Sequence, residues 1–587
     1  MRDPRKGSAP TSRLGLLSHP SVISIGLAAA LSGIAISSIN IYRYLIADQA
    51  STYISPRSSS TQAPSTGPLD DNILACWQAH TTTVAYNSSG TTALPNSNVT
   101  DPQQLLALAP AELENKITSS GERSLIKEEG NFSEDLENLT QKVEIFSKAK
   151  TEGTTLYAQG EYQTAANKFK AARDIAKNSP ESLIYLNNAL ANTASKSYSL
   201  GIAVPLKMGL PSSELETAMA ILKGAAHAQD DINGTGGIKG VPIKLLLVDD
   251  FDNSPQSAEA VAQILTKKKD VLGVVGHDAN SATVNARRIY QQSGLASISP
   301  TSTAANLPPG HTAAFRTVPN ETISAKLLAD YIVNQRRNKV AIFYTKGSDE
   351  ESNRYSQPVQ EILRTSFDAN TNMEGVVKEV NLDDLASDQY DGIINSLEQS
   401  INSEQIDTIL LAPGRSETSI LQALDIAARS RALSDDILIV GNESMHDART
   451  ANCGEKINNM VITTFWDMNS ASTSVSTVTA EFARKAVSNP NDPNVLWETD
   501  ANWTSAMAYD AVRAFGKALE IHHPSPNRTK IANSLSNPRF SMDGATGFVK
   551  FDNNGDRIGG SVKLLKVLPL DPNSPVGGQH HFQPIFF

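Results

Sequence analysis

Two short loops carry the side chains best suited to hold a small charged molecule. Gly276-His277-Asp278-Ala279-Asn280-Ser281-Ala282-Thr283 ends an apolar, β-branched run and opens a segment of helical pattern. Free backbone N–H groups and short hydroxyl or amide side chains therefore gather where an anion is stabilised. Ser299-Pro300-Thr301-Ser302-Thr303 repeats that arrangement after the next apolar run. Side by side, the two loops could hold one carboxylate without an arginine. Helix capping would use Asn280, Ser281 and Thr303 equally well, so the residues alone leave both readings open.

Other patterns point away from chemistry. Gly234-Thr235-Gly236-Gly237-Ile238-Lys239-Gly240 looks like a dinucleotide fingerprint, but a helix pattern precedes it and a strand pattern follows, the reverse of what phosphate binding needs. It reads as a glycine-rich turn. Asp552, Asn554 and Asp556 imitate the start of a calcium loop, yet Arg557 stands where the loop requires glycine and no Glu closes it. Asn554-Gly555 reads instead as a hairpin turn. The chain contains no G-x-S-x-G, H-E-x-x-H, C-x-x-C or G-x-x-x-x-G-K. No enzyme, metal or cofactor is expected.

The elements that must position the two loops are short strands alternating with longer helical segments. Gly201 to Val204, Val241 to Val248, Val271 to Val275 and Ala296 to Ile298 are the strands, and such alternation predicts βαβ units in a parallel sheet. Ligands of these sheets sit in the crevice outside the carboxyl ends of the strands, where both loops lie. Ser213 and Glu216 form a capping box for the helix whose buried face is Leu215, Ala218, Leu222 and Ala225. Strands at Val340 to Tyr344, Thr408 to Ala412, Ile437 to Val440 and Val461 to Phe465 predict a second sheet of the same type, and Phe548 to Leu565 reads as a final hairpin.

Within this region, GTGGIKGVPIKLLLVDDFDNSPQSA and VVGHDANSATVNARRIYQQSGLASISPTST resemble the leucine/isoleucine/valine-binding proteins, the type I periplasmic solute receptors of ABC importers. The resemblance runs from Ser199 to Leu568. It implies an α/β fold of two lobes with parallel sheets flanked by helices, and a solute held in the cleft between them. Relatives hold an amino acid's α-carboxylate at the two loops; Asn280 stands where they place a Ser, Thr301 and Thr303 match the second loop, and His277 is a bystander. Val440-Gly441-Asn442-Glu443 resembles the position whose Glu binds the ammonium, against the alternative of a solvated loop acid. Arg354-Tyr355-Ser356-Gln357 resembles the Tyr-Gly pair that places a ring over the ligand, with Ser356 replacing Gly. Arg415 stands where relatives carry an aromatic, and would meet either solvent or an acidic or polar ligand group. Thr504 to Leu519 resembles a late helix that returns to the first lobe.

The rest of the chain frames this receptor. Its 587 residues exceed what one core supports. A net charge of −11 without a basic stripe argues against nucleic acid. Cys76 and Cys453, far apart and in different expected units, give no argument for a disulfide framework and do not identify the redox compartment. Residues 1–20 form a basic tail, and 21–45 an apolar segment whose run Val22 to Ile41 has about the 20 residues that cross a bilayer. The basic flank predicts a cytoplasmic amino terminus with the bulk of the chain outside the inner membrane; a cleaved signal peptide is the competing reading. Residues 46–100 are a linker rich in Ser, Thr and Pro, and 101–196 a helical stem whose hairpin, about 150–190, resembles one tetratricopeptide repeat. The hairpin either supports the next domain or docks a peptide. The two-lobed domain then fills 197–587, with lobe 1 at about 197–318 and 467–540 and lobe 2 at about 319–466 and 541–587. The expected partners are a small solute, an ABC permease and the membrane; a membrane-tethered sensor or scaffold signalling through the stem is the alternative.

Overall fold

The computed structural model describes residues 69, 71–78, 101–126, 136–206, 212–304, 313–346, 361–367, 374–385, 387–403, 405–468, 476–486, 495–497, 501–560, 562–570 and 580–586. The apolar run at 21–45 and Tyr355 lie outside them. Among the described residues, no helix is long and apolar enough to cross a membrane.

The amino-terminal part contains helices α1 (Asp71–Gln78), α2 (Pro102–Leu106) and α3 (Pro110–Ile117), strand β1 (Thr118–Ser119), and helices α4 (Leu136–Ala158), α5 (Tyr162–Ile175) and α6 (Pro180–Asn192). Next come β2 (Tyr198–Val204), α7 (Ser212–Gly234), β3 (Ile243–Asp249), α8 (Pro255–Lys267), β4 (Val271–Val275), α9 (Asn280–Gln292), β5 (Ala296–Ser299) and β6 (Ala314–Arg316). The second lobe follows with α10 (Glu321–Asn334), β7 (Lys339–Tyr344), β8 (Gly375–Asn381), α11 (Ser387–Asn402), β9 (Thr408–Ala412), α12 (Glu417–Leu433), β10 (Leu438–Gly441), α13 (Ala448–Asn452) and β11 (Val461–Thr464). The chain closes through α14 (Thr477–Ala486), α15 (Trp503–Ile521), α16 (Arg528–Leu535), β12 (Met542–Gly544), β13 (Gly547–Val549), β14 (Lys563–Pro569) and β15 (His580–Ile585).

Two sheets result. The first has the order β1-β3-β2-β4-β5-β6 and the second β15-β14-β11-β10-β9-β7-β8. In each, the first parallel strand (β2, β7) lies between the second (β3, β8) and the third (β4, β9), the topological switch point outside which ligands bind. All seven residues of β2 are buried, as an unbroken apolar run predicts for a strand covered on both faces. Ala218, Leu222 and Ala225 are buried on α7 as expected. Its expected capping-box acid Glu216 instead reaches Arg449 of lobe 2, at 2.8 Å.

Several elements depart from the sequence reading. The Phe548 to Leu565 hairpin does not form: β13 pairs with β12, while β14 pairs with β11 and β15. Sequence order puts residues from 541 onward in lobe 2, but Met542, Ala545, Val549 and Phe551 pack in the lobe 1 core beside α15. The helices expected as a stem are continuous with that core, since Phe169, Ile184 and Tyr185 pack in it and β1 extends the sheet beside β3. Asn188 of α6 donates to the Leu245 carbonyl at 2.7 Å and accepts from the Leu245 N–H at 2.9 Å, satisfying the edge of β3.

Cys76 and Cys453 are joined in a disulfide with 5.1 Å between their Cα atoms. It fixes α1 to α13 on lobe 2, where Ile73 and Trp77 enter the core. No local pattern signals this pairing, because 377 residues separate the partners. A structural disulfide fits an oxidising compartment outside the cytoplasm.

Candidate functional site

The first loop begins at Gly276, whose φ of 124° and contact with β2 admit no side chain: a Cβ would lie 2.1 Å from the Ala203 carbonyl oxygen. His277 then turns inward, only 1% exposed, between the Asp250 carboxylate on Nδ1 and the Tyr290 hydroxyl 2.9 Å from Nε2. Burial pushes the Asp250 carboxyl up, opposed by the pull of His277. This chain anchors the loop to α9, in keeping with a bystander role for His277. The following residues open α9, whose N-cap differs from those of the helices around it. Ser254, Ser416 and Asn502 cap α8, α12 and α15 through their side chains, whereas Ala279 at the N-cap of α9 supplies no side-chain bond. Asn280 and Ser281 thus occupy the first two helical positions, where backbone N–H groups have no intrahelical acceptor.

The second loop lies alongside. The Ser299 hydroxyl donates to the His277 carbonyl at 2.9 Å and the Thr301 hydroxyl to the Asp278 carbonyl at 2.9 Å, so Thr301 joins the two loops. Thr303 is 2% exposed, at the end of the second loop, and its carbonyl accepts from the Glu321 N–H at 3.0 Å. The buried Arg316 guanidinium holds the loop from behind, donating to the Ser302 and Ala304 carbonyls at 3.1 and 2.6 Å and pairing with Asp556. Asp556 belongs to the turn that imitated a calcium loop, and its carboxylate serves Arg316. Gly555 in that turn lies against β6, where a Cβ would meet the Ala314 carbonyl oxygen at 1.9 Å.

Lobe 2 contributes Arg415 and Glu443 from the ends of β9 and β10. The Arg415 guanidinium crosses to lobe 1, donating to Asp278 at 2.8 Å and to the Thr301 carbonyl at 2.8 Å, and lies 5.6 Å from the Trp503 ring of α15. It meets neither open solvent alone nor a free position; it bridges the cleft at the two loops. Glu443 is 5% exposed, in a short 3-10 turn directly after β10. It is therefore a buried acid. Asn442 beside it donates to the Pro413 carbonyl at 3.2 Å, tying the β10 end to the Arg415 loop.

Asp278 and Glu214 went unnoticed in the sequence. Asp278 is 4% exposed and also accepts from Asn253 at 3.3 Å. Glu214, in the first turn of α7, has a carboxyl pushed up to about 6 by burial and by repulsion from Asp278 and Asp252, and one of its oxygens is buried without a partner among the described residues. An acid two residues before Asn280 carried no signal of its partner, and Glu214 read as an ordinary first-turn acid.

Two α/β lobes, whose strand-end loops meet through a lobe 2 arginine, define a two-lobed α/β protein with its polar loops gathered where the lobes face each other. A model of the periplasmic binding protein family matches residues 201–568, and the chain belongs to that family. Its members bind solutes and catalyse no reaction, and the family's place is outside the cytoplasm. The chain is 31% identical over 218 residues to an amino acid binding protein of Pseudomonas aeruginosa, covering 36% of this chain and 54% of that one. It is 24% identical over 356 residues to Leu/Ile/Val-binding protein homolog 3 of Brucella melitensis, covering 59% and 86%. Among solved structures, a leucine binding protein from Thermotoga maritima superposes with a TM-score of 0.51 at 19% identity over 66% of this chain and 97% of that one. A solute binding protein of an ABC transporter from Rhodopseudomonas palustris, in complex with p-hydroxybenzoic acid, does so with a TM-score of 0.53 at 15% identity over 66% and 96%.

Proposed function

We propose that this chain is the solute receptor of an ABC importer, taking an amino acid or a related small polar solute between its lobes. One observation carries the reading. The start of α9, where Ala279 offers no side-chain cap, and the buried Thr303 stand on lobe 1, in loops that the lobe 2 residue Arg415 touches, while the buried Glu443 ends the neighbouring strand of lobe 2. An α-carboxylate takes the N–H groups and hydroxyls of Asn280, Ser281 and Thr303, with Thr301 holding the two loops together. An ammonium takes Glu443, because a cation in a poorly hydrated cleft needs an ionised acceptor. Arg415 already occupies Asp278 and the Thr301 carbonyl, so it narrows the cleft at the carboxylate loops and favours a small solute over a bulky one. Lobe closure then signals occupancy to a permease in the membrane.

The apolar run Val22 to Ile41 and its basic flank support a single-pass tether in the inner membrane, with the lobes on the outer side. The names of the curated relatives, amino acid binding and Leu/Ile/Val-binding, support the solute class. The test is a thermal-shift screen of the full chain against the L-amino acids, their amides and benzoates, since a molecule that binds only the folded state raises its apparent stability. An L-amino acid that raises the melting temperature while its amide does not is the expected result. A screen in which only benzoates act would reject the ammonium half of the assignment.

A further inference from the structure

The family match begins at residue 201, yet a helix 123 residues earlier sits against lobe 2 beside an arginine that reaches lobe 1. Helix α1 is bonded to α13 through Cys76–Cys453. Its next residue, Trp77, is 1% exposed, donates its indole N–H to Glu417 at 2.8 Å, and lies under the Arg449 guanidinium with 4.3 Å to the ring centroid. Arg449 is held on its own side by Asp447 at 2.8 Å and reaches over to Glu216 of lobe 1, also at 2.8 Å. Its guanidinium is held well above the usual range by those carboxylates, against the pull of burial. We propose that the disulfide-held α1 is a positioning element for lobe closure: Trp77 fixes Arg449 in the orientation that latches lobe 2 to Glu216 on lobe 1.

The geometry favours this over simple anchoring of α1. Anchoring needs only the disulfide and the burial of Ile73 and Trp77 in the lobe 2 core. Neither requirement places the indole face against the one arginine of α13, and neither calls for that arginine to cross to the other lobe. A planar guanidinium stacked on an aromatic face loses most of its rotational freedom, so its remaining N–H donors point in fixed directions. The second latch, Arg415 with Asp278, lies at the solute loops, whereas Glu216 stands in the second turn of α7, so the two latches hold the lobes at separate points. This inference rests on the solute-receptor reading for its purpose. Its test needs no solute, so the two can fail separately: that reading by an empty thermal-shift screen, this one as follows.

Hydrogen–deuterium exchange is measured on the full chain in detergent, without added solute, for the parent and for Trp77→Ala, Trp77→Phe, Glu216→Gln and Cys76→Ser/Cys453→Ser. Peptides 276–283 and 299–304 of lobe 1 are expected to exchange about two- to fivefold faster in Trp77→Ala, the range that a partly exposed ion pair commands. Trp77→Phe restores protection, and the cysteine double variant behaves like Trp77→Ala. Glu216→Gln, an exposed change that leaves every core intact, gives the same acceleration. Adding it to Trp77→Ala gives no more, because both act through Arg449. Acceleration confined to α1 and α13, with the lobe 1 loops unchanged, overturns the proposal, and so do additive effects of the two substitutions.

Discussion

The pairing of Asp278 with Arg415 is asymmetric. Asp278 is buried, with a side chain 5% exposed, while Arg415 is 37% exposed. Removing the arginine leaves a carboxylate in a dry pocket near Glu214, whereas removing the acid leaves a cation that water can reach. Arg415→Ala is therefore expected to destabilise the fold by about 1 to 3 kcal/mol and Asp278→Asn by much less, with the double variant close to Asp278→Asn alone. Chemical denaturation of the three variants checks the order, and equal losses for the two single changes would contradict it. Glu214 adds a pH signature. Its folded carboxyl is raised from 4.5 to about 6, so the folded state prefers the proton and stability falls as pH rises through that window. Glu214→Gln should gain in melting temperature relative to the parent as pH climbs from 4.5 through 6, and hold the gain above it. Arg415 was visible in the sequence as a departure from a pattern. Its partner was not, because a contact 137 residues away leaves no local trace.

Helix α9 lacks a stabilising side chain at its N-cap, at the place where the proposed carboxylate would sit. Its neighbours carry Ser or Asn at the N-cap, and it carries Ala279. Ala279→Ser should supply the missing cap and stabilise the protein by about 0.5 to 2 kcal/mol, while competing with a bound carboxylate for the same N–H groups. A higher melting temperature together with weaker solute binding is the expected pair of outcomes, read by thermal unfolding and by calorimetry; unchanged binding would show that the α9 start takes no anion. The parallel strands were legible because β2, β4 and β9 are continuous apolar runs, which only a doubly covered strand tolerates. Strands β1, β6 and β8 were not. Two or three residues of β1 and β6 carry no period, and β8 (GVVKEVN) is an edge strand whose polar half reads as loop. Helix α6 looked like part of a separate stem because its pattern shows an apolar face without saying which sheet it covers. Its polar residues settle that: Glu181, 0% exposed, pairs with Lys150 at 2.5 Å, and Asn188 joins β3 to α7 through Gln229 at 2.8 Å.

Over the whole molecule, one disulfide closes a span of 377 residues, and the chain holds only these two cysteines. Protein unfolded without reductant should titrate no free thiol, and two per chain after reduction; two free thiols before reduction would contradict both the bond and the oxidising location. The central claim is that the lobes close on an amino acid whose ammonium meets Glu443. Glu443→Gln keeps the shape of that side chain and removes its charge, leaving a bound cation without an ionised partner. Such a loss typically costs about 2 to 5 kcal/mol, roughly 30-fold to several thousand-fold in affinity. The deciding measurement is a calorimetric titration of the parent and Glu443→Gln with the L-amino acid that most raises the melting temperature in the screen. One-to-one binding by the parent, weakened at least 30-fold in Glu443→Gln, is the predicted result; an L-amino acid bound equally tightly by both would contradict the account.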